Sequence, residues 1–385
     1  MKVCIIGGGA AGLMAASILA NKTENLEIVV VEKLEHIGKK LLVTGNGKCN
    51  LTNAYIGPSC YNNEFSYNIA KSFDTRAYFL ELGLITYISE QGRVYPFSNM
   101  ANSVLDILRF SLKNVDIKES TIVNKITNEN NKYQIITNNG TIEADIVILA
   151  TGGKTYYKDT NSYTLANMLS HKVSMLTPSL CPIKVKENLA SIENLRCKVK
   201  ATLFENGNQI YQDKGEVLFK KDYLSGIVIF QLSSKLDYDL FKSYKVVLDL
   251  APSLSKDYLL SYVDGHKDLM GLFPKMIAQY VLKHSPTNET KDIVDTIKNL
   301  SFEVADGFDF KNAQITAGGV SIDEINDNLE SKLHKNLYIV GEMLDADGLC
   351  GGYNLQFAFA SGAKAAYDII NKTNIYEDKW NNLCK

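Results

Sequence analysis

"VCIIGGGAAGLMAASILA", residues 3–20, decides how the rest of the chain is read. Val3 to Ile6 predicts a short buried strand, Gly7 to Gly12 a tight turn, and Leu13 to Ala20 an apolar helix. The stretch carries no charge and follows Met1-Lys2, so it imitates a signal peptide or a short membrane span. Its glycines at positions 7, 8, 9 and 12 argue otherwise, because they spoil a hydrophobic helix and suit a turn between strand and helix. Gly7 to Gly12 also satisfies G-x-G-x-x-G. That pattern is weak alone, but here it lies where backbone can approach a pyrophosphate and a helix N-terminus can attract its charge.

Working outward, Glu27 to Val31 predicts a second strand ending at Glu32, twenty residues after Gly12. A carboxylate there accepts hydrogen bonds from a ribose 2′-hydroxyl, which favours FAD or NAD over NADP. Two remote segments favour FAD. "YQIITNNGTIEADIVILATGG", residues 133–153, reads as two strands joined at Asn138-Asn139-Gly140, the second apolar from Ile146 to Ala150 and stopped by Thr151-Gly152-Gly153. "YIVGEMLDADGLCGGYNLQFAFASGAKAA", residues 338–366, supplies a strand from Leu337 to Val340, Glu342 after Gly341, and Gly351-Gly352 before a helical pattern from Leu355 to Ile370. A helix N-terminus of that kind stabilises negative charge on a reduced flavin.

At 385 residues, 45% hydrophobic and 22% charged, the chain is long enough for two domains with substantial cores. Residues 183–311 look different from their flanks. "KVKATLFENGNQIYQ" and "GEVLFK" suggest antiparallel strands, and "KDYLLSYV" and "LFPKMIAQYVLKH" suggest helices. The expected fold class is α/β, with a Rossmann-like FAD-binding domain (1–182 and 312–385) interrupted by an inserted β-rich plus helical domain (183–311). The seven cysteines (Cys4, Cys49, Cys60, Cys181, Cys197, Cys350, Cys384) form no C-x-x-C pair, and the five histidines are dispersed, so no disulfide framework and no metal site is expected. A reducing cytoplasm, without membrane attachment, fits best. Net charge is −2, but residues 154–222 sum to +4. Lys184, Lys186, Arg196, Lys198, Lys200, Lys220 and Lys221 supply most of that excess, which suits either a polyanion or plain solvation.

"TGNGKCN", residues 44–50, begins twelve residues after Glu32 and is too small and polar for a core. In FAD enzymes of this topology such a segment follows the ribityl chain toward the flavin. Asn46 and Asn50 offer amides, and Lys39, Lys40 and Lys48 offer positive charge.

With these residues in view, the sequence resembles the YhiN-like and BaiN-like bacterial FAD-dependent oxidoreductases. The likeness runs through "GGGAAGLMAA", "GKKLLVTGNGKCNLTN", "GRVYPFSNMANSVLDIL", "ILATGGKTYY", "GEVLF" with "LSG", "ITAGGVSIDEI" and "GEMLDADGLCGGYNLQFAFASG". One departure is "KDTNSYTLANM", residues 158–168, where family members often carry glycines. The resemblance implies a two-dinucleotide-binding-fold flavoprotein with an insert. The expected cofactor-binding set is Gly7, Gly9, Ala11, Gly12, Glu32, Lys33, Lys40, Gly45, Asn46, Asn50, Val123, Ala150, Thr151, Gly152, Gly341, Glu342, Gly352, Tyr353, Asn354, Leu355 and Gln356.

The family has been linked to reduction of unsaturated, steroid-like bile acid intermediates and, in its YhiN branch, to dihydrouridine formation in ribosomal RNA; older labels suggest aminoacetone oxidation. The first two share hydride transfer from reduced flavin to a polarised C=C, with an acid protonating the other carbon. Cys49 is the candidate acid, with Lys48 stabilising its thiolate; the plainer reading is packing in a small-residue loop. Cys350 offers Cys49 a redox partner, and Tyr156, Tyr157 and Tyr353 offer substrate contacts. A second G-x-G-x-x-G is missing, so NAD(P)H, if it is the reductant, visits the flavin transiently, or another reduced carrier serves. A basic insert domain, expected to dock ribosomal RNA, tilts the expected substrate toward uridine in that RNA. The alternatives are an unsaturated small metabolite such as a steroid-like enone, or a flavin-binding protein without turnover.

Overall fold

Five parallel strands form the central sheet of the computed structural model, in the order Leu337–Ile339, Ile146–Leu149, Lys2–Ile6, Glu27–Val31, Val115–Lys118. The structure describes residues 1–129, 132–155, 162–237, 242–266, 268–305 and 310–383. The N-terminal strand lies at the centre, and its Val3 to Ile6 are buried, as are Ile28 to Val31 and Ile146 to Leu149. Near-continuous apolar runs of this kind belong to strands covered on both faces.

The first helix, Ala10–Lys22, buries Ala11 through Leu19 without a polar face. The last helix, Tyr353–Leu383, packs against it. Gly362 permits the closeness of that contact: a Cβ there would stand 2.2 Å from the carbonyl oxygen of Ala11. An antiparallel meander, Val123–Glu129, Lys132–Thr137 and Gly140–Ala144, adds Ile126, Tyr133 and Ile135 to the same core.

Three sequence expectations change. The helix starts at Ala10, so half of the glycine motif lies inside it. The chain after Asn139 is two strands, because Asp145 turns the corner between the meander and the parallel sheet: its carboxylate accepts from the Lys2 N–H at 2.8 Å. "GEVLFK" is the end of one long strand, Asn208–Lys220.

The chain forms two compact units, one of Met1–Leu176 with Ile315–Lys385 and another of Thr177–Gln314. The second unit is an antiparallel six-stranded sheet ordered Ile183–Lys184, Tyr223–Ser225, Asn208–Lys220, Arg196–Glu205, Tyr244–Asp249, Leu300–Glu303. Val199, Ala201, Leu203, Val217, Phe219, Val246, Leu248 and Phe302 point inward, and the helices Ile227–Ser233, Lys256–Gly265, Lys275–His284 and Thr290–Lys298 complete this core. Its 18 lysines and arginines are matched by 18 aspartates and glutamates, so the surplus at 154–222 is not a property of the inserted unit. Arg196 pairs with Glu216, Lys245 with Glu303, and Lys298 with Asp249. Among the described residues, no helix is long and apolar enough to cross a membrane.

Candidate functional site

The glycines of the first turn separate into two kinds. A Cβ on Gly7 would lie 2.3 Å from the Ala150 carbonyl oxygen, on Gly8 2.6 Å from Ile37, and on Gly12 2.0 Å from the Gly7 oxygen, so the fold itself demands these three. Gly9 differs: nothing stands within 4 Å of its Cβ position, and as N-cap of the first helix it has no side-chain cap bond. Open space in front of an uncapped helix N-terminus fits a pyrophosphate.

Glu32, nearly buried, accepts from the Gly8 N–H at 2.8 Å on one oxygen and from the Leu34 N–H at 2.9 Å on the other. Each oxygen retains a lone pair for a ribose hydroxyl. Beside it lies a recess lined by Gly7, Glu32, Lys33, Thr121, Val123, Thr151 and Leu165. This recess gathers Lys33 and Val123 from outside the glycine motif.

Further along the chain, Leu41–Gly47 forms a short 3-10 stretch broken by left-handed backbone at Gly45 and Asn46 (φ 56° at both), and Cys49 follows at φ 57°. The kinked loop is held from below, since Asn50 accepts the Val94 N–H at 3.1 Å and Thr44 donates to the Leu41 carbonyl at 2.7 Å. Asn46 stays exposed. Gly352 meets this loop's continuation, because a Cβ there would be 2.4 Å from the Thr52 oxygen. The Thr52 hydroxyl is buried with no hydrogen-bond partner.

Glu342 gathers Lys40 at 2.7 Å, the Thr316 N–H at 2.8 Å and the Gly153 N–H at 3.3 Å. It thereby joins the Thr151-Gly152-Gly153 exit to the last glycine-rich loop. Ala150 anchors that exit by donating its N–H to Ile6 at 2.8 Å, and the Gly341 N–H is capped by Ser361 at 2.9 Å. Asn354 holds its own loop: it accepts from the Gly348 N–H and donates to the Gly348 carbonyl, each at 2.8 Å.

Not every expected residue faces this space. Gln356 is buried and donates to the carbonyls of Ala70 at 2.7 Å and Phe73 at 2.9 Å, so its amide serves the core. Ala11 packs beneath Gly341 and Gly362, and Leu355 packs on the core. Tyr353 stands edge-on to Tyr61 and donates to the Tyr55 carbonyl at 3.3 Å.

Cys49 is fully buried, and burial pushes its thiol up to about 12, with only Thr44 acting in the opposite direction. Lys48 is exposed and is not among the groups acting on that thiol. The support that sequence gave a proton-donating Cys49 is therefore missing from its surroundings. Burial also raises the Cys350 thiol to about 11, against a smaller pull from Arg93. Tyr156, Tyr157 and Cys384 lie outside the described residues.

Sequence reasoning passed over Asp347. Burial, then Asp345 and Glu342, raise its carboxyl to about 7, while the Gly318 N–H acts the other way. Only the run of acids in "GEMLDAD" hinted at it.

A parallel sheet with an uncapped first helix, an acid at the second strand and a glycine-headed last helix defines the FAD-binding Rossmann class of oxidoreductases. The chain belongs to the HI0933-like family: the family model described as HI0933-like protein Rossmann domain matches residues 1–368. It is 35% identical, over 94% of its length and 97% of the other's, to a 3-dehydro-bile acid delta(4,6)-reductase of Clostridium scindens. A ribosomal RNA dihydrouridine synthase of Haemophilus influenzae is 25% identical over 95% of this chain and 97% of the other. Among solved structures, the open conformation of a flavocytochrome c3 fumarate reductase aligns with 95% of this chain and 78% of its own, at 16% identity and a TM-score of 0.48.

Proposed function

We propose that this FAD-dependent oxidoreductase reduces the conjugated C=C of an unsaturated ketone of the bile-acid type. The observation that carries this reading is the 35% identity across nearly the whole chain to a delta(4,6)-reductase, against 25% and 23% to two ribosomal RNA dihydrouridine synthases. The charge balance of the inserted unit supports it as well, since a phosphate-binding face is normally a net cation. Uridine in ribosomal RNA, favoured by the local sequence charge, thus becomes the second reading.

When bound, FAD supplies the hydride. Glu32 and the first helix N-terminus would hold its adenosine and pyrophosphate, and Lys40, Asn50, Glu342 and the Gly352-headed helix would hold its flavin half. NAD(P)H fits as a transient electron donor, because no second dinucleotide motif is present in the sequence.

The test is anaerobic. FAD-loaded protein, reduced chemically, is mixed with a 3-oxo-4,6-diene bile acid or with ribosomal RNA lacking dihydrouridine. Flavin reoxidation and a product heavier by two hydrogens with the ketone alone support the proposal. Reoxidation only by RNA moves the assignment to uridine.

A further inference from the structure

The strand Arg93–Pro96, from the "GRVYPFS" segment, is absorbed by none of the cofactor contacts above, yet both flavin-end loops grip it. Its Val94 N–H is bound by Asn50, and its Val94 carbonyl accepts the Leu51 N–H at 2.9 Å. Arg93 pairs across the sheet with Asn53, whose amide donates to the Gly351 carbonyl at 2.9 Å. Strand alternation then sorts the side chains: Val94 and Pro96 are buried, and Arg93 and Tyr95 project together on the opposite, half-buried face.

That face is a small polar and aromatic wall. The Tyr95 ring lies against Gly45, where an added Cβ would sit 3.5 Å from its ring carbon, and the Tyr87 ring is 6.1 Å away. Arg93 donates to the Gln91 side chain and shares its face of the strand with Tyr95. The Asn53 amide bond to Gly351 ties this strand's cross-strand partner to the last glycine-rich loop. Burial holds the Tyr95 hydroxyl above its ordinary value, with Arg93 acting against it.

We propose that Arg93 and Tyr95 form the donor pair that grips the substrate's carbonyl oxygen and receives the charge developing there. The inference deepens the enone-reductase reading and rests on it. Hydride arriving at the β-carbon breaks the C=C π bond and drives an electron pair onto the carbonyl oxygen. Tyr95 gives its proton to that oxygen, making an enol, and Arg93 balances the phenolate left behind. The enol then takes a proton from water at the α-carbon and returns its O–H proton to Tyr95. The sum is one hydride and one proton added across the C=C. Hydrogen-bond donors aimed at a developing oxyanion are worth about 100- to 1,000-fold in rate.

The experiment uses FAD-loaded protein and 4-nitrophenol, a phenol whose anion mimics the charged oxygen and is visible by its yellow absorbance. Wild type is expected to bind it as the phenolate near neutral pH. Tyr95→Phe and Arg93→Ala should each weaken that binding at least ten-fold and slow enone reduction more than ten-fold, with FAD retained; Arg93→Lys should recover part of both. Wild-type phenolate affinity and turnover in Tyr95→Phe and Arg93→Ala, or no phenolate binding by wild type that reduces enones, overturns the donor pair. A wild-type protein that reduces no enone removes the underlying reading, and the pair with it.

Discussion

At the scale of single residues, Gly9 and Gly12 belong to the same motif for different physical reasons. Gly12 exists because a methyl group would strike the Gly7 carbonyl, whereas Gly9 faces open space. Gly9→Ala should therefore leave the apoprotein within about 1 kcal/mol of wild type, the scale of a changed helix cap, while loosening FAD at least ten-fold. Gly12→Ala should cost about 1–3 kcal/mol by overpacking. Denaturant unfolding of the apoprotein and FAD titration separate the two. Cys49 poses the reverse case, a residue conspicuous in sequence and sealed in the structure. Cys49→Ala is expected to keep product formation within about three-fold of wild type, well short of the roughly 100-fold that loss of a general acid costs. Stopped-flow comparison of flavin reduction and product release decides, and a selective slowing of product formation would restore Cys49 as the acid.

Among elements, the end of the helix Ser162–Met168 is tied to the segment Ile322–Ser331 by a buried polar chain. His171 bonds Glu324 at 3.0 Å through one ring nitrogen and Ser331 at 3.0 Å through the other, with His334 close by at 6.0 Å between ring centroids. The geometry imitates a nucleophilic triad, but Ser331 is buried and its oxygen already accepts the N–H groups of Leu333 and His334, each at 3.0 Å. It is a structural clamp. Burial lowers His171 below its ordinary 6.5, outweighing Glu324, and His334 adds to the lowering. The unfolded chain then binds that proton more readily than the folded one, so His171 contributes stability above pH 6.5 that drains away as pH falls through its lower folded value. For Glu324, burial alone would raise the carboxyl, but the Lys172 N–H and His171 hold it below 4.5, which extends the acid loss. His171→Gln should flatten the melting temperature between pH 6.5 and 5; an unchanged pH profile would remove this clamp as the acid-sensitive element.

At the scale of the whole molecule, charge balance in the inserted unit predicts how substrate recognition responds to salt. A bile-acid enone, carrying one carboxylate, should be turned over with a Michaelis constant only weakly dependent on ionic strength, whereas polyanion binding weakens with a log–log slope of about −0.7 per phosphate contacted. A titration from low to high salt reads the difference. The sequence by itself determined the dinucleotide half of this protein, because a strand, a glycine turn, a helix and an acid at fixed spacing are local features, and backbone sterics demand them wherever they occur. It also determined that an insert of antiparallel strands and helices interrupts the sheet, through a visible change of hydrophobic period. Tertiary structure alone decided which of the marked residues are sealed in the core and which stay open. Gln356 turned to the core, Cys49 was sealed, and Arg93 and Tyr95 came up between two loops distant in sequence. Those outcomes depend on which backbone groups each side chain meets across distant segments, and the residue types and their spacing do not encode that.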